Sequence, residues 1–262
     1  LYRPVPLHLL LGAKGAGGCK GTWDSVQSHP HHRERDGSEC ARTGHNIRIV
    51  PGWEVCDPEH PVGQEILEIG RRNGLNDSGG KMKYDQTIIT PKGLTVHIRN
   101  GVASDGSTVL ENFNLTHAET DYLLSYPDEN RFDSEQESRY LERKAASPNE
   151  IELIAFVDGK VAGTAGIDAI GAHYKVAHRA EFGISILKDY WGLGIGRALM
   201  EACIQCARTA GYAQLELDVV AENARAISMY QTAGFVEYGR NPKGFRSRNA
   251  GFQELISMRL EL

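Results

Sequence analysis

The chain has 262 residues, 40% of them hydrophobic, and a formal charge of -5, which suits one large domain or one medium domain with an appendage. No apolar run approaches the roughly 18 residues that a membrane-spanning helix needs, so no membrane partner is expected. The acidic balance argues against a nucleic-acid binder that relies on backbone phosphates.

The five cysteines stand at 19, 40, 56, 203 and 206. Cys203 and Cys206 form a CxxC, but it falls inside a helix-like run with no second ligand pair nearby, so core packing is expected and no metal site. A reducing, cytoplasmic compartment follows as the default.

Residues 1 to 81 differ from the rest. They hold Cys19, Cys40 and Cys56 and six of the ten histidines, at 8, 29, 31, 32, 45 and 60. They show no sustained period of 3.6 or 2, and so no foldable pattern. Pro4 to Gly12 is too short and too poorly flanked for a signal peptide. Ser78-Gly-Gly-Lys-Met82 reads like a bacterial ribosome-binding site translated just ahead of a start codon. A domain spanning 82 to 262 is therefore expected, 181 residues long, with 1 to 81 an unstructured extension or upstream sequence translated in error.

From Met82 the pattern becomes regular. Leu94 to Arg99 alternates as a first strand, and Asp105 to Glu111 and Ala118 to Leu124 read as helices. Asp133 to Ala146 is a polar helix that Ser147-Pro148 breaks. Glu152 to Val157 pairs with Lys160 to Ala169 through Asp158-Gly159, a tight hairpin signal. Arg179 to Ile186 is a strand, and Arg197 to Ala210 a helix that stops at Gly211. Gln214 to Val220 is a strand, Ala224 to Ala233 a helix closed by Gly234, and Phe235 to Tyr238 and Glu254 to Leu260 are strands. Gly239 to Arg248 reads as a basic loop. This order predicts a mixed α/β (α+β) layered domain with one curved central sheet.

Between the strand ending at Ile186 and the next helix lies Tyr190-Trp-Gly-Leu-Gly-Ile-Gly-Arg-Ala198. Glycines at 192, 194 and 196 let the main chain curl so that successive N–H groups converge on one point. That point is a helix N-terminus, where unpaired amides and the helix dipole favour an anion, a pyrophosphate above all. A P-loop would need Lys-Ser/Thr after Gly196, where Arg197-Ala198 stands. A dinucleotide fingerprint starting at Gly192 would need a glycine at Arg197. The pattern (Gln/Arg)-x-x-Gly-x-(Gly/Ala) fits Trp191-Gly192-Leu193-Gly194-Ile195-Gly196 at all but its first position. On these residues the sequence resembles the GNAT superfamily of acyl-CoA-dependent N-acyltransferases.

That resemblance implies a mostly antiparallel sheet splayed between two strands and flanked by helices. It implies acetyl-CoA as co-substrate and no metal. The phosphates would sit on residues 192 to 197, and the pantetheine arm would pair with the backbone of Ile184, Ser185 and Ile186. Asn223 would bond the arm, and the Tyr230 hydroxyl would lie near the sulfur as general acid. The two are seven residues apart and share a helix face; the plain alternative for Tyr230 is a core aromatic.

Acyl transfer to an alkyl amine also needs a base, because stripping a proton of pKa ~10.4 at pH 7 costs ~4.6 kcal/mol. Glu181 and Asp218, on neighbouring strands, are the candidates. The acceptor is expected to be a primary amine: polyamine, amino acid, aminoglycoside or protein N-terminus. The acidic run Glu119 to Glu142 would attract a cation, whereas Arg240, Lys243, Arg246 and Arg248 could hold a carboxylate, a peptide or the CoA 3′-phosphate. A homodimer is compatible with all of this. The rival reading is a non-catalytic acyl-CoA-binding sensor, which would need no acid beside the sulfur.

Overall fold

The computed structural model describes residues 80–262. The expectations for the stretch before Met82, its cysteines and histidines included, lie outside the described residues apart from Gly80 and Lys81. The strands are β1 (Asp85–Ile89), β2 (Thr95–Asn100), β3 (Ile151–Val157), β4 (Lys160–Ala169), β5 (Arg179–Ile186), β6 (Gln214–Val220), β7 (Val236–Ser247) and β8 (Gly251–Glu261). The helices are α1 (Gly106–Glu119), α2 (Ser134–Ala146), α3 (Ile195–Thr209) and α4 (Ala224–Thr232).

All eight strands form one sheet in the order β1-β2-β3-β4-β5-β6-β8-β7. Every pairing is antiparallel except β5 with β6. That parallel contact covers only Arg179–Glu181 against Gln214–Glu216, after which the two strands part. The mixed α/β class and the splayed, mostly antiparallel sheet agree with the sequence reading.

Alternation sets the two faces of the sheet. Ala180, Phe182 and Ile184 of β5 and Leu215, Leu217 and Val219 of β6 join one core with Leu199, Cys203 and Ala207 of α3 and Tyr230 of α4. A smaller cluster holds Val109 of α1, Tyr140 and Leu141 of α2, Ile154 and Val161. Cys203 and Cys206 are buried free thiols, and burial pushes the Cys206 thiol up to about 12. They pack in the core.

Three details differ from the sequence reading. The sheet begins one strand earlier, because Asp85–Ile89 pairs with β2 around the turn at Gly93, which has φ +80. The two short helices expected from Asp105 to Leu124 are the single α1, and Thr120 to Leu124 is not helical. Polar residues masked that helix: Asn112 is buried and donates to the Val161 carbonyl (3.2 Å), and His117 bonds the Phe113 carbonyl (2.7 Å). Gly239 to Arg248 is mostly strand, not loop. The edge position of β7 accommodates Pro242, and register shifts absorb the turn-forming residues near Gly239 and Asn241 to Phe245.

Candidate active site

The parting of β5 from β6 is the root of the site. Residues along a strand aim their amides at alternate edges, so half the backbone groups beyond Glu181 face a gap instead of a neighbour. Trp191 stiffens the end of this strand: its indole N–H donates to the Ile186 carbonyl at 2.7 Å.

The chain then turns through Gly192 (φ +76) and Gly194 (φ +92), which stands as N-cap of α3 with no side-chain cap. The first bond into the helix is from the Ala198 amide to the Gly194 carbonyl (3.1 Å), and the amides from Gly192 to Arg197 find no acceptor among the described residues. A run of orphan donors at a helix N-terminus is an anion cradle. Gly196 keeps it tight, since a Cβ there would lie 3.1 Å from Ile186 and 3.3 Å from the Met229 sulfur.

A cleft of about 550 Å³ opens above this turn. Ile184, Ser185 and Ile186 of β5 line it, as do Trp191, Gly192, Gly194, Gly196 and Arg197. Asn223 and Tyr230 line its far wall. Leu193 and Ile195 do not, and Ile195 is fully buried in the core.

Asn223 is the N-cap of α4 and lies outside its helical turns, unlike the shared helix face expected for it. Its Oδ1 accepts from the Ala226 amide at 3.2 Å, which leaves its NH₂ group for a ligand. Tyr230 is 1% exposed, and burial drives its phenol well above the usual range, so it stays protonated and able to donate.

Neither Glu181 nor Asp218 lines this cleft. Ladder partners share a face, so Asp168, Glu181 and Glu216 form a row of carboxylates across β4, β5 and β6; Glu152 lies opposite Gly166, two residues from Asp168 on the same face, and Asp218 is two residues beyond Glu216. Most are engaged. Lys144 bonds Asp168, Arg179 bonds Glu216, the Tyr140 hydroxyl reaches Glu152 (3.2 Å), and Ser257 donates to Asp218 (2.6 Å). Glu181 has no such partner among the described residues. Burial first, then the charges of Asp168, Asp218 and Glu216, lift it from 4.5 to about 7.

The charged stretches weighed for the acceptor are largely committed to the fold. Asp121 accepts from Tyr126, Ser247 and Asn249. Asp128 takes a two-pronged bond from Arg248 (2.8 and 2.9 Å), and Arg240 is held by Glu237 and Glu254. Lys243 and Arg246 both stack on Phe252. None of these four cations lines the cleft.

Sequence reasoning missed Arg225, whose guanidinium lies 5.3 Å from the Trp191 ring and which lines the cleft. Its signal was a cation in the first turn of a helix, where the dipole disfavours one. It also missed Tyr122 and Leu123, brought to the rim by the non-helical segment after α1.

Residues 115–235 match the sequence profile of the Acetyltransferase (GNAT) family. The Escherichia coli L-amino acid N-acetyltransferase AaaT is 32% identical over 118 residues, which is 45% of this chain and 72% of that protein. The Escherichia coli [ribosomal protein bS18]-alanine N-acetyltransferase is 45% identical over 56 residues, 21% of this chain and 38% of the other. Among solved structures, a GNAT-family acetyltransferase from Streptococcus pneumoniae superposes with TM-score 0.62 at 31% identity, over 64% of this chain and 99% of that one. The structure of yncA from Salmonella typhimurium with its cofactor acetyl-CoA shares the fold at TM-score 0.57 and 20% identity, over 64% of this chain and 94% of that one.

Proposed function

The chain belongs to the GNAT acetyltransferase family, and on that premise we propose that its domain from Met82 to Leu262 moves an acetyl group from acetyl-CoA to a primary amine by direct transfer. One observation carries the reading: Gly192, Gly194, Gly196 and Arg197 of the turn that holds the orphan amides, the unpaired edge of β5, and Asn223 with Tyr230 all border a single cleft. The donors suit a diphosphate, the strand edge suits the amides of the pantetheine arm, and the buried phenol suits protonation of a departing sulfur. Bound acetyl-CoA supplies the activated acyl group.

The chain's own residues supply the rest. A backbone N–H among Ile184 to Ile186 polarises the thioester carbonyl, a contact typically worth ~2.7–4 kcal/mol in such sites. Glu181 takes the proton of the acceptor ammonium through a water, since it stands outside the cleft yet on the same face of β5 as Ser185, which lines it. A base near pH 7 is well matched to that task. Tyr230 gives its proton to the departing sulfur. Asp218, tied to Ser257, holds the second place as base.

The test is thiol release from acetyl-CoA across a panel of amino acids, polyamines, aminoglycosides and peptides with free N-termini, with wild type and Tyr230→Phe side by side. Turnover with at least one amine, lost in the variant, is expected. Tight acetyl-CoA binding with no turnover on any amine supports the sensor instead.

A further inference from the structure

The loop departs from its pattern at one position: Trp191 stands where Gln or Arg is usual, so the side chain that could bring a donor or a charge to the anion cradle is replaced by an indole. Among the described residues, the cations along the cleft are Arg197 and Arg225. Arg197 bonds Glu201 at 2.8 Å on the exposed side of α3. Arg225 has no carboxylate partner among the described residues, although Glu222 lines the same cleft. It sits in the first turn of α4, where the helix dipole works against a positive charge. What holds it is the face of Trp191, and Trp191 is itself fixed by its N–H on the Ile186 carbonyl.

We propose that Trp191 and Arg225 together replace the missing side chain: Arg225 is the group that grips the diphosphate of acetyl-CoA, and Trp191 is the positioning residue that presents it. The assignment rests on the acetyl-CoA reading above. The cleft already offers backbone donors without full charge, and a planar guanidinium adds charge-assisted, two-pronged bonds that a phosphate favours. The unfavourable dipole at α4 is offset once an anion occupies the cleft. Stacking leaves the edge of the guanidinium free for that anion while it removes rotamer freedom that binding would otherwise have to freeze. The chain of contacts runs from the end of β5 through Trp191 to the start of α4, so it spans the mouth of the gap that the thioester arm enters.

The experiment is calorimetric titration of the full chain with acetyl-CoA for wild type, Arg225→Ala, Trp191→Leu and the double variant, with KM and kcat measured on the best acceptor. Arg225→Ala is expected to weaken binding about tenfold or more and to raise KM with kcat kept within about twofold. Trp191→Leu is expected to weaken binding when Arg225 is present and to add less than about twofold once it is gone. A dissociation constant for Arg225→Ala within about twofold of wild type overturns the proposal, as does a Trp191→Leu penalty of equal size in both backgrounds. If Trp191→Leu lacks a melting transition, Trp191→Phe takes its place, keeping a ring face but losing the bond to Ile186. Silence of the wild type at millimolar acetyl-CoA has a different signature: every variant is silent too, and the acetyl-CoA reading falls together with this one.

Discussion

Asp168 on β4 and Glu181 on β5 stand directly opposite each other in the antiparallel ladder, and among the described residues only Asp168 of the two bonds a cation. Lys144, 1% exposed at its side chain, is bound to Asp168, which leaves Glu181 beside the carboxylates of Asp168, Asp218 and Glu216. This asymmetry separates a structural carboxylate from a titrating one. As a base Glu181 must be ionised, so kcat/KM is expected to rise with pH along a limb centred near the value of about 7 to which it is lifted. Glu181→Gln should lower kcat by about 10²–10³ and remove that limb, while Asp218→Asn should leave the limb in place. A limb that persists in Glu181→Gln hands the role to another group.

The same residue has a cost in stability. Glu181 titrates near 4.5 when unfolded and near 7 when folded, so between those values the folded state holds a proton that the unfolded state has released. Stability therefore falls as pH rises across that window, and the penalty is complete above it. Glu181→Gln is expected to unfold at a higher temperature than wild type above pH 7, by an amount corresponding to at most about 3 kcal/mol, with the gain vanishing towards pH 4. Thermal scans across that range check it, and a gain that does not change with pH refutes it.

Tyr230 separates chemistry from packing in the other direction. Its ring meets Phe182 edge-on with centroids 6.3 Å apart and lies 5.8 Å from Phe235, so the aromatic body belongs to the core. No hydrogen bond from its hydroxyl is found among the described residues. Tyr230→Phe keeps the ring and removes the hydroxyl of a residue that lines the cleft. Melting should move by less than about 2 °C, while kcat for acetyl transfer should drop about 10²-fold. A variant as active as wild type leaves Tyr230 with packing alone.

What the sequence disclosed and what it hid follow from the range of each interaction. The hairpin at Asp158-Gly159 was readable because its turn needs positive φ at both positions, +50 and +76, a local demand with a local signature. The glycine turn was readable for the same reason, and it led to the cleft. Arg225 was not, because its meaning lies in a ring 34 positions earlier in the chain. Lys144 was read as one more charge on a polar helix, yet it is buried against the Ile167 carbonyl and Asp168. A single sequence cannot distinguish a solvated lysine from a buried one when its partner lies on a strand after an intervening hairpin. The split of α1 in the reading has a related cause, since Asn112 and His117 break the apolar period while satisfying their bonds inside.

The glycines of the turn differ in what they tolerate. Gly194 has φ +92, and a Cβ there would lie 3.2 Å from Thr90 and 3.3 Å from Pro91, whereas Gly192, at φ +76, has open space around it. Left-handed backbone costs a non-glycine residue about 1–2 kcal/mol, and at Gly194 the crowding comes on top. Gly194→Ala is expected to lower the melting temperature by about 4–8 °C and to raise KM for acetyl-CoA about tenfold, because the amides of the cradle move with the strain. Gly192→Ala should show the strain term alone. Equal effects at the two positions rule out the crowding argument.

Lys144→Met tests the buried pair from the side of the cation. The side chain of Asp168 is 17% exposed, and burial already raises its carboxyl above the usual range despite the lysine. Without Lys144 the carboxylate is left uncompensated beside Glu152 and Glu150, and removing one partner of such a pair typically costs about 3–5 kcal/mol. The carboxyl can escape the penalty by taking up a proton. Its folded pKa then lies further above its unfolded one, so the lost stability returns as pH falls through the folded value. Urea unfolding should therefore show a large deficit for the variant at neutral pH that shrinks in mild acid, and Lys144→Met combined with Asp168→Asn should recover much of it. A deficit that is the same at both pH values, or that the second substitution leaves untouched, would place the role of Lys144 in the packing of its buried stem and not in holding the charge of Asp168.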